Sequence, residues 1–311
     1  MKTQSNNRLW QGFWQIADPK IWIASTIPMA VGGALAYAQT GRFSWIWFVV
    51  GLVAIYCLEI GKNAINEYVD FLSGVDRFVA PDKRTPFSGG KKTIIDGKLT
   101  LKENLVIGLV TIVCGCILGL VVVFYRDFNI LWFGLAGVFF ALFYSLPPFQ
   151  FAYRGLGELV VGFTFGPLIT NGTYLVQTGT LNTLVILASL PLGLLIANVL
   201  WINQYPDYEA DRQGGKRNWV VRLGKQKAGN IYTLLFSLAF LSFPLLTVYD
   251  RNYFWLLPLI GLPLAIRAIK VAREQHDNIP LLMEANAKTI QIYQLTGLMM
   301  VITALLTRIT S

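Results

Sequence analysis

The chain has 311 residues, of which 54% are hydrophobic and 14% charged, whereas ordinary soluble proteins carry about 25% charged residues. Three cysteines without a Cys-x-x-Cys pair and a single histidine argue against a disulfide framework, a zinc site and a histidine-based triad. Membrane topology and anionic lipid headgroups explain the formal net charge of +9, and no basic-aromatic pattern indicates a nucleic acid partner. The composition therefore indicates a polytopic protein of the lipid bilayer.

Long apolar runs predict the fold class. Residues 1–18 carry no cleavable signal pattern, so we expect the first span to direct insertion. A bilayer crossing needs about 20 apolar residues, and on that measure the chain is one all-α domain, residues 1–311, of about nine spans. The predicted spans are 21–40, 44–66, 101–125, 129–147, 155–178, 181–203, 228–248, 252–272 and 289–308.

The Lys and Arg residues predict an orientation. Positive residues favour the cytoplasmic side of a membrane. With the N-terminus inside, only Arg42, Arg126, Arg251 and Arg308 of the 26 Lys and Arg residues fall outside. We therefore expect a cytoplasmic N-terminus, with the long loops after the second and sixth spans on the same side.

A short polar pattern ends both of those spans. Asn66-Glu67-Tyr68-Val69-Asp70 is the first acidic motif, and Asn203-Gln204-Tyr205-Pro206-Asp207 is the second. Each precedes a further aspartate, Asp76 or Asp211, and then a basic segment. Asn and Asp four residues apart share one face of a helix. The repetition also suggests that spans one to four and five to eight form an internal repeat.

Carboxylates at the ends of membrane spans are costly and indicate function by default. The alternative is that Asp70 and Asp207 lie in hydrated loops, where a carboxylate costs little. The repetition, the Asn residues and the nearby bases favour Mg²⁺, which takes one or two carboxylates together with substrate phosphate oxygens. The candidate metal ligands are Asn66, Glu67, Asp70, Asp76, Asn203, Asp207 and Asp211, and the candidate catalytic residues are Asp70, Asp207 and Asp211.

Basic, glycine-bearing segments follow both motifs. The segments 83–92 and 214–217 combine Lys or Arg with Gly, and such segments can bind phosphate through cations and backbone amides. Cytoplasmic loops are basic in any case, and Pro147 and Pro148 can simply end a span, so each signal alone is weak. The candidate diphosphate-binding residues are Lys20, Arg84, Lys91, Tyr144, Arg154, Lys216 and Arg217.

These motifs resemble those of the UbiA superfamily of intramembrane prenyltransferases over nearly the whole chain, and most closely its 1,4-dihydroxy-2-naphthoate branch. The segment 66–76 is similar to that branch's Asn-Asp-Tyr-x-Asp-x-x-x-Gly-x-Asp, with Glu67 where Asp is usual. Other branches carry an acid at the position of Gly74, and Lys20 follows Asp18-Pro19 where Arg-Pro is common. Further similar segments are 84–90, 153–158, 207–212, 215–217 and 221–224.

The resemblance implies helices around a central cavity, and Mg²⁺ and a polyprenyl diphosphate bound at the cytoplasmic side of the inner membrane. Lys and Arg would neutralise the leaving group as the C1–O bond breaks toward an allylic cation, which an aromatic acceptor attacks. The implied acceptor is 1,4-dihydroxy-2-naphthoate, as in menaquinone biosynthesis, and a 4-hydroxybenzoate or glyceryl phosphate type of acceptor is the alternative. A membrane transporter fits less well, because the middle of each span is expected to be bare of charge.

Overall fold

The structure, a computed structural model, describes residues 2–78, 85–87 and 90–310, and the side chains of these residues from position 7 onward. Within these ranges the chain is helical and contains no β-strand, which confirms the all-α prediction. A π-helical segment, Thr164–Leu168, joins α6 to α7, and a 3-10 helix, Tyr253–Gly261, leads into α12. The helices are α1 Lys2–Ala17, α2 Ile23–Thr40, α3 Trp45–Ser73, α4 Leu101–Tyr125, α5 Ile130–Phe143, α6 Gly157–Phe163, α7 Ile169–Thr178, α8 Thr183–Asn203, α9 Tyr208–Gln213, α10 Trp219–Leu223, α11 Lys225–Asp250, α12 Leu262–Glu274 and α13 Ile279–Thr310.

In the described part of the chain, 7 helical segments are long and apolar enough to cross a bilayer, and they include the combined segments Gly157–Thr178 and Tyr253–Glu274. An eighth span results if α1 and α2, which are bent by 46° at their junction, count as one. The apolar helix α5 has only 14 residues, short of the roughly 20 that a full crossing needs. The count of nine spans, the side of the N-terminus and the internal repeat stay predictions.

Two spans extend beyond the apolar runs. α3 continues to Ser73, so the first acidic motif lies inside a helix, which ends at Gly74 in the left-handed conformation with φ 83°. α13 begins at Ile279, well before the predicted residue 289. Its first turns look polar in sequence but bury Leu282 and Ala285, and this packing extends the helix.

The two sides of the bundle differ in packing. The main core lies among α2, α8, α11, α12 and α13, where Trp255, Tyr232 and Phe243 are fully buried. α4 and α5 direct large apolar side chains outward instead, with Phe124 80% and Trp132 65% exposed. An apolar surface of this extent suits contact with lipid tails.

Small residues allow α6 and the π segment to approach α8 closely. A Cβ atom added at Gly166 would lie 2.5 Å from the Cα atom of Gly193, and one at Gly162 would lie 3.0 Å from the Gly193 carbonyl oxygen. Close approach through small residues is common between membrane helices. The contact holds the α6–α7 span against the helix that ends at the second acidic motif.

α1 lies against the segment that precedes α4. The guanidinium of Arg8 forms two hydrogen bonds with the Glu103 carboxylate, at 2.6 and 3.0 Å. Glu103 and Thr100 also form a capping box at the start of α4. Gln15 Nε2 donates to the Lys91 carbonyl at 2.6 Å, so α1 is tied both to α4 and to the loop before it.

Candidate active site

The first acidic motif is held in place by residues that follow α5. Asn66 Nδ2 donates to Asp70 Oδ2 at 2.8 Å, which is the contact expected for residues four apart on one helix face. Ser145 Oγ donates to Asn66 Oδ1 at 2.7 Å, and Tyr153 Oη donates to Asp70 Oδ1 at 2.6 Å. Burial, and then the charge of Asp70, raises the pKa of the Tyr153 phenol, so Tyr153 stays protonated and donates.

Lys216 connects the two motifs. Its Nζ atom lies 3.4 Å from Asp70 Oδ2, while its backbone N–H donates to the Asp211 carbonyl at 2.8 Å. Burial acts to lower the pKa of Lys216, but the charges of Asp70 and Asp211 outweigh burial and hold this pKa well above its ordinary value. Lys216 is therefore a protonated cation shared between an aspartate of α3 and an aspartate of α9.

Asp76 and Asp211 add negative charge to the same region. Burial, together with the charges of Asp70 and Glu67, raises the pKa of Asp76 to about 7. Burial also raises the pKa of Asp211 to about 6, although Lys216 and the 2.7 Å hydrogen bond from Asn218 Nδ2 oppose this. Burial is the largest cause of both shifts, so these two carboxylates are poorly solvated and a bound cation would stabilise their charged forms.

The donor set fits Mg²⁺. Asp76 is buried, and its Oδ2 atom has no hydrogen-bond partner in the described part of the chain. Carboxylate and amide oxygens are the hard ligands that Mg²⁺ prefers, and this ion usually completes its shell with substrate phosphate oxygens and water. Over the described ranges, no three Asp, Glu, His or Cys side chains converge to hold an ion by themselves. The arrangement suits a cation that the protein and a phosphate ligand hold jointly.

Asp207 and Asn203, the other predicted residues of the second motif, have different surroundings. Asp207 is buried and immediately precedes α9, which carries Asp211. Asn203, by contrast, accepts a hydrogen bond at Oδ1 from Asn286 Nδ2 of α13 at 2.8 Å, and so it fastens α8 to α13. Asn66 is bonded to an aspartate of the site, whereas Asn203 is bonded to another helix, so the metal-binding set that we propose includes Asn66 and Asp207 and omits Asn203.

The carboxylate of Glu67, a predicted metal ligand, accepts hydrogen bonds from the loop before α4. Its Oε2 atom accepts from the backbone N–H groups of Lys91 and Lys92, at 2.7 and 2.8 Å. Its Oε1 atom accepts from Thr93 Oγ1 at 3.1 Å and from the Ile94 N–H at 3.2 Å. With four such bonds the carboxylate anchors the loop before α4 to α3, and we therefore propose a structural role for Glu67 in place of metal binding.

The predicted diphosphate-binding residues divide into two groups. Lys216 and Tyr144 lie at the site, because the ring of Tyr144 is within electrostatic reach of Lys216, Asp70 and Asp211. Lys91 Nζ is paired with Asp18 at 2.6 Å. Lys20, Arg154 and Arg217 are exposed. Arg84 lies outside the described residues.

The backbone of two exposed bases nevertheless shapes the site. Arg222 donates to the Arg154 carbonyl at 2.7 Å and to the Arg217 carbonyl at 2.8 Å, and the Arg217 N–H donates to the Tyr153 carbonyl at 2.9 Å. These bonds fasten the loop after α5 to the loop after α9. They therefore hold Tyr153 and Lys216 next to Asp70.

A cavity of about 350 Å³ lies among α3, α4, α5 and the α6–α7 span, and Tyr144 is one of its lining residues. Its lining is predominantly apolar, and its charged lining residues in the described chain are Glu59 and Lys62. Lys62 Nζ lies 5.4 Å from the centroid of the Tyr144 ring, which also lines the cavity. Tyr144 thus connects the acidic site with an apolar space of the kind that a lipid tail needs.

Glu59 and Lys62 are not among the site residues predicted from the sequence. The expectation that each span is bare of charge in the middle is wrong for α3, where Glu59 is buried and lines the cavity. A signal was present, because Glu59, Lys62, Asn66 and Asp70 recur at spacings of three and four, which places them on one helix face. Averaged hydropathy concealed the two charges within an apolar run.

Known proteins provide a comparison with this geometry. The sequence profile of the UbiA prenyltransferase family matches residues 25–291. The chain belongs to the UbiA prenyltransferase family. It is therefore a prenyltransferase and a multi-pass membrane protein, and the resemblance predicted from the motifs is confirmed.

Individual relatives align with most of the length of this chain. The 1,4-dihydroxy-2-naphthoate octaprenyltransferase of Escherichia coli (strain K12) is 30% identical over 281 residues, covering 85% of this chain and 89% of that protein. The UbiA prenyltransferase domain-containing protein 1 of Xenopus tropicalis is 30% identical over 266 residues, covering 84% and 73% respectively. A solved structure of a UbiA homolog from Archaeoglobus fulgidus bound to GPP and Mg²⁺ aligns with a TM-score of 0.61 at 14% identity, covering 93% and 99%. This last likeness shows the shared fold.

Proposed function

We propose that this prenyltransferase transfers a polyprenyl group from a prenyl diphosphate to 1,4-dihydroxy-2-naphthoate at the cytoplasmic face of the inner membrane. The contact between Lys216 and Asp70, at 3.4 Å, is the observation that carries the proposal, because it joins the two acidic motifs beside an apolar cavity. The name of the similar Escherichia coli protein supports the acceptor. The distribution of Lys and Arg supports the cytoplasmic side.

Binding of the diphosphate uses charge that the site already contains. Lys216 provides a protonated ammonium between the motifs, and Asn66, Asp70, Asp76, Asp207 and Asp211 would hold Mg²⁺. When bound, Mg²⁺ supplies Lewis-acid stabilisation of negative charge on the diphosphate oxygens. Lys216 stabilises the same charge as it develops, in a site that is largely closed to water.

The donor's tail occupies the cavity in this proposal. A diphosphate at Lys216 and a tail among α3, α4 and α5 place carbon C1 of the donor beside Tyr144. The C1–O bond breaks, the electron pair leaves with the diphosphate, and an allylic cation remains. The rings of Tyr144 and Tyr153 lie close by and stabilise a cation through their π faces.

The acceptor completes the reaction. A carbon of the electron-rich ring attacks C1 and forms the new C–C bond. The naphthoate then loses CO₂ and a proton, which restores the aromatic ring. The predominantly apolar lining of the cavity keeps water away from the allylic cation, so hydrolysis does not compete.

A direct assay tests this function. The purified protein in lipid nanodiscs is incubated with Mg²⁺, one labelled polyprenyl diphosphate and, separately, 1,4-dihydroxy-2-naphthoate, 4-hydroxybenzoate or a glyceryl phosphate. We expect a prenylated naphthoquinol, with release of diphosphate and CO₂. Product with 4-hydroxybenzoate or the glyceryl phosphate alone would overturn the acceptor assignment, and solute flux without diphosphate release would overturn the proposed reaction.

A further inference from the structure

Glu59 is a buried carboxylate that neither acidic motif includes. It lies in the membrane helix α3, is 8% exposed and lines the cavity. Neither of its carboxylate oxygens has a hydrogen-bond partner in the described part of the chain. The hydroxyl of Ser25 is within hydrogen-bonding reach of Glu59 but donates to the Trp22 carbonyl at 3.1 Å, and the hydroxyl of Tyr293 donates to the Ala24 carbonyl at 2.6 Å. Glu59 is thus a strong acceptor that competes with a backbone carbonyl for the Ser25 hydroxyl and faces a space where a ligand fits.

The position of Glu59 relates it to the reacting centre. At a rise of about 1.5 Å per residue, Glu59 lies about 10 Å deeper along α3 than Asn66, on the same face. Lys62 lies between them, close enough to Glu59 to interact electrostatically and 5.4 Å from the Tyr144 ring. An acceptor that meets carbon C1 of the donor beside Tyr144 therefore reaches Glu59 along the α3 side of the cavity, while the donor's tail runs along the side formed by α4 and α5.

We propose that Glu59 forms the acceptor subsite, where its carboxylate accepts a hydrogen bond from a hydroxyl of a hydroxylated aromatic ring. A carboxylate can only accept, so it selects a ligand that offers an O–H group, and the apolar wall around it selects a ligand with an apolar body. The negative charge of Glu59 also repels the carboxylate of an acceptor, whereas the positive charge of Lys62 attracts it. The subsite rests on the proposed function, and it explains how an acceptor would be oriented for attack.

Binding of matched probes tests the subsite independently of turnover. The probes are 1,4-dihydroxynaphthalene and 1,4-dimethoxynaphthalene, which share a ring system but differ in hydrogen-bond donors, and their dissociation constants are measured on protein in nanodiscs. We expect the wild type to bind the dihydroxy probe at least tenfold more tightly, and Glu59→Gln and Glu59→Leu to abolish that preference. Equal binding of both probes by the wild type, or an undiminished preference in the variants, would overturn the subsite.

Kinetics separate the subsite from general damage. Glu59→Gln should raise the apparent KM for the acceptor at least tenfold and leave the apparent KM for the prenyl diphosphate within twofold. The same substitution at the exposed Glu284, which pairs with Arg267, is the matched control and should leave both constants unchanged. An equal increase in both KM values, with the control unaffected, would contradict a role in acceptor binding.

A double variant separates acceptor binding from simple charge balance. If Glu59 serves only as a counter-charge for Lys62, the double variant Glu59→Gln, Lys62→Gln recovers the wild-type acceptor KM, and the subsite is overturned. If Glu59 contacts the acceptor, the KM stays raised. If Glu59→Leu does not fold, the isosteric Glu59→Gln decides through the same probe preference. Absence of prenyl transfer by the wild type to every aromatic acceptor would overturn the proposed function, whereas the probe preference would still report on the subsite.

Discussion

The ammonium group of Lys216 interacts with two carboxylates, those of Asp70 and Asp211. The ammonium lies 3.4 Å from Asp70 Oδ2, and the charge of Asp211 acts on it as well. The Asp70 side chain is 2% exposed, so little water screens this interaction. One side chain of the loop after α9 therefore links α3 with α9, and in the proposed reaction it supplies the cation that stabilises the leaving group.

The first prediction concerns Lys216→Met. We expect kcat/KM for the prenyl diphosphate to fall by about 10²–10³-fold, the range typical for loss of one group that stabilises charge in a transition state. Steady-state kinetics at saturating acceptor measure the change. Arg212→Ala, at an exposed position of α9, is the control and should stay within threefold of the wild type. Lys216→Met with an unchanged kcat/KM would remove Lys216 from the site.

The two aspartates at the ends of the motifs give a second prediction. Asp70→Ala and Asp207→Ala should each reduce product formation to background in the presence of Mg²⁺, because each removes a hard oxygen ligand at the diphosphate site. Unchanged elution of the protein on size exclusion shows that the fold is retained. Glu209→Ala removes an exposed carboxylate between Asp207 and Asp211 and should retain activity. Near-normal turnover of either Asp variant would refute the metal assignment.

Glu67 joins two elements of the chain. Four hydrogen bonds to its carboxylate hold residues 91–94 against α3, although those residues are more than twenty positions away in sequence. Hydrogen bonds to a charged group contribute about 1.5–3 kcal/mol each, so the joint is a strong one. The loop and the helix that carries Asp70 are therefore expected to move as one unit.

The third prediction follows from that joint. Glu67→Gln should lower the thermal stability, while the Mg²⁺ concentration for half-maximal activity stays within twofold of the wild type. Thermal unfolding in detergent and an Mg²⁺ titration of activity measure the two quantities. A tenfold increase in the Mg²⁺ requirement at unchanged stability would restore Glu67 to the set of metal ligands.

The helices around the cavity give a fourth prediction. Gly119 of α4 and Gly134 of α5 both line the cavity, and a Cβ atom at either position would meet no other atom within 4 Å. Gly119→Leu should therefore fold, fill part of the cavity and shorten the longest prenyl diphosphate that the enzyme uses. Turnover with donors of increasing length measures this. Leu109→Phe, on the exposed side of α4, should leave the length limit unchanged, and an unchanged limit in Gly119→Leu would separate the cavity from the donor tail.

The sequence indicated which polar residues lie together more readily than it indicated what each side chain contacts. Asp70 and Lys216, whose side chains approach to 3.4 Å, belong to a polar pattern that repeats after two apolar runs. Glu67 belongs to the same pattern, but its partners become neighbours only when the loop 91–94 folds back on α3. Glu59 carried a helical spacing signal that averaging over an apolar run erased.

In the whole molecule, the charged residues lie mainly at one end of the bundle, whereas the exposed apolar side chains lie on its sides. Lys and Arg gather in the loops at one end of the bundle, which favours the cytoplasmic side. The acidic site lies at the same end, near Lys216 and the loop before α4. If the loops are cytoplasmic, Mg²⁺ reaches the site and the released diphosphate leaves it without crossing the membrane.

The fifth prediction concerns this orientation. In a background without Cys57, Cys114 and Cys116, a cysteine at Gly215 should react with an impermeant thiol reagent only in inverted membrane vesicles. A cysteine at Tyr249, near the end of α11, should react only in intact cells. The reverse pattern would place the acidic site on the outer side of the membrane.

The outward apolar side chains of α4 and α5 place the cavity in the plane of the bilayer, where lipids diffuse. These helices form one wall of the cavity and present residues such as Phe124 and Trp132 on the other side. Both the donor tail and the longer, more lipophilic product belong to the bilayer, so they are supplied and removed by diffusion within a surface. Saturation of the enzyme with donor therefore depends on the mole fraction of the donor among the membrane lipids. The total rate of prenyl transfer in a cell then depends on the area of its membrane more than on its volume.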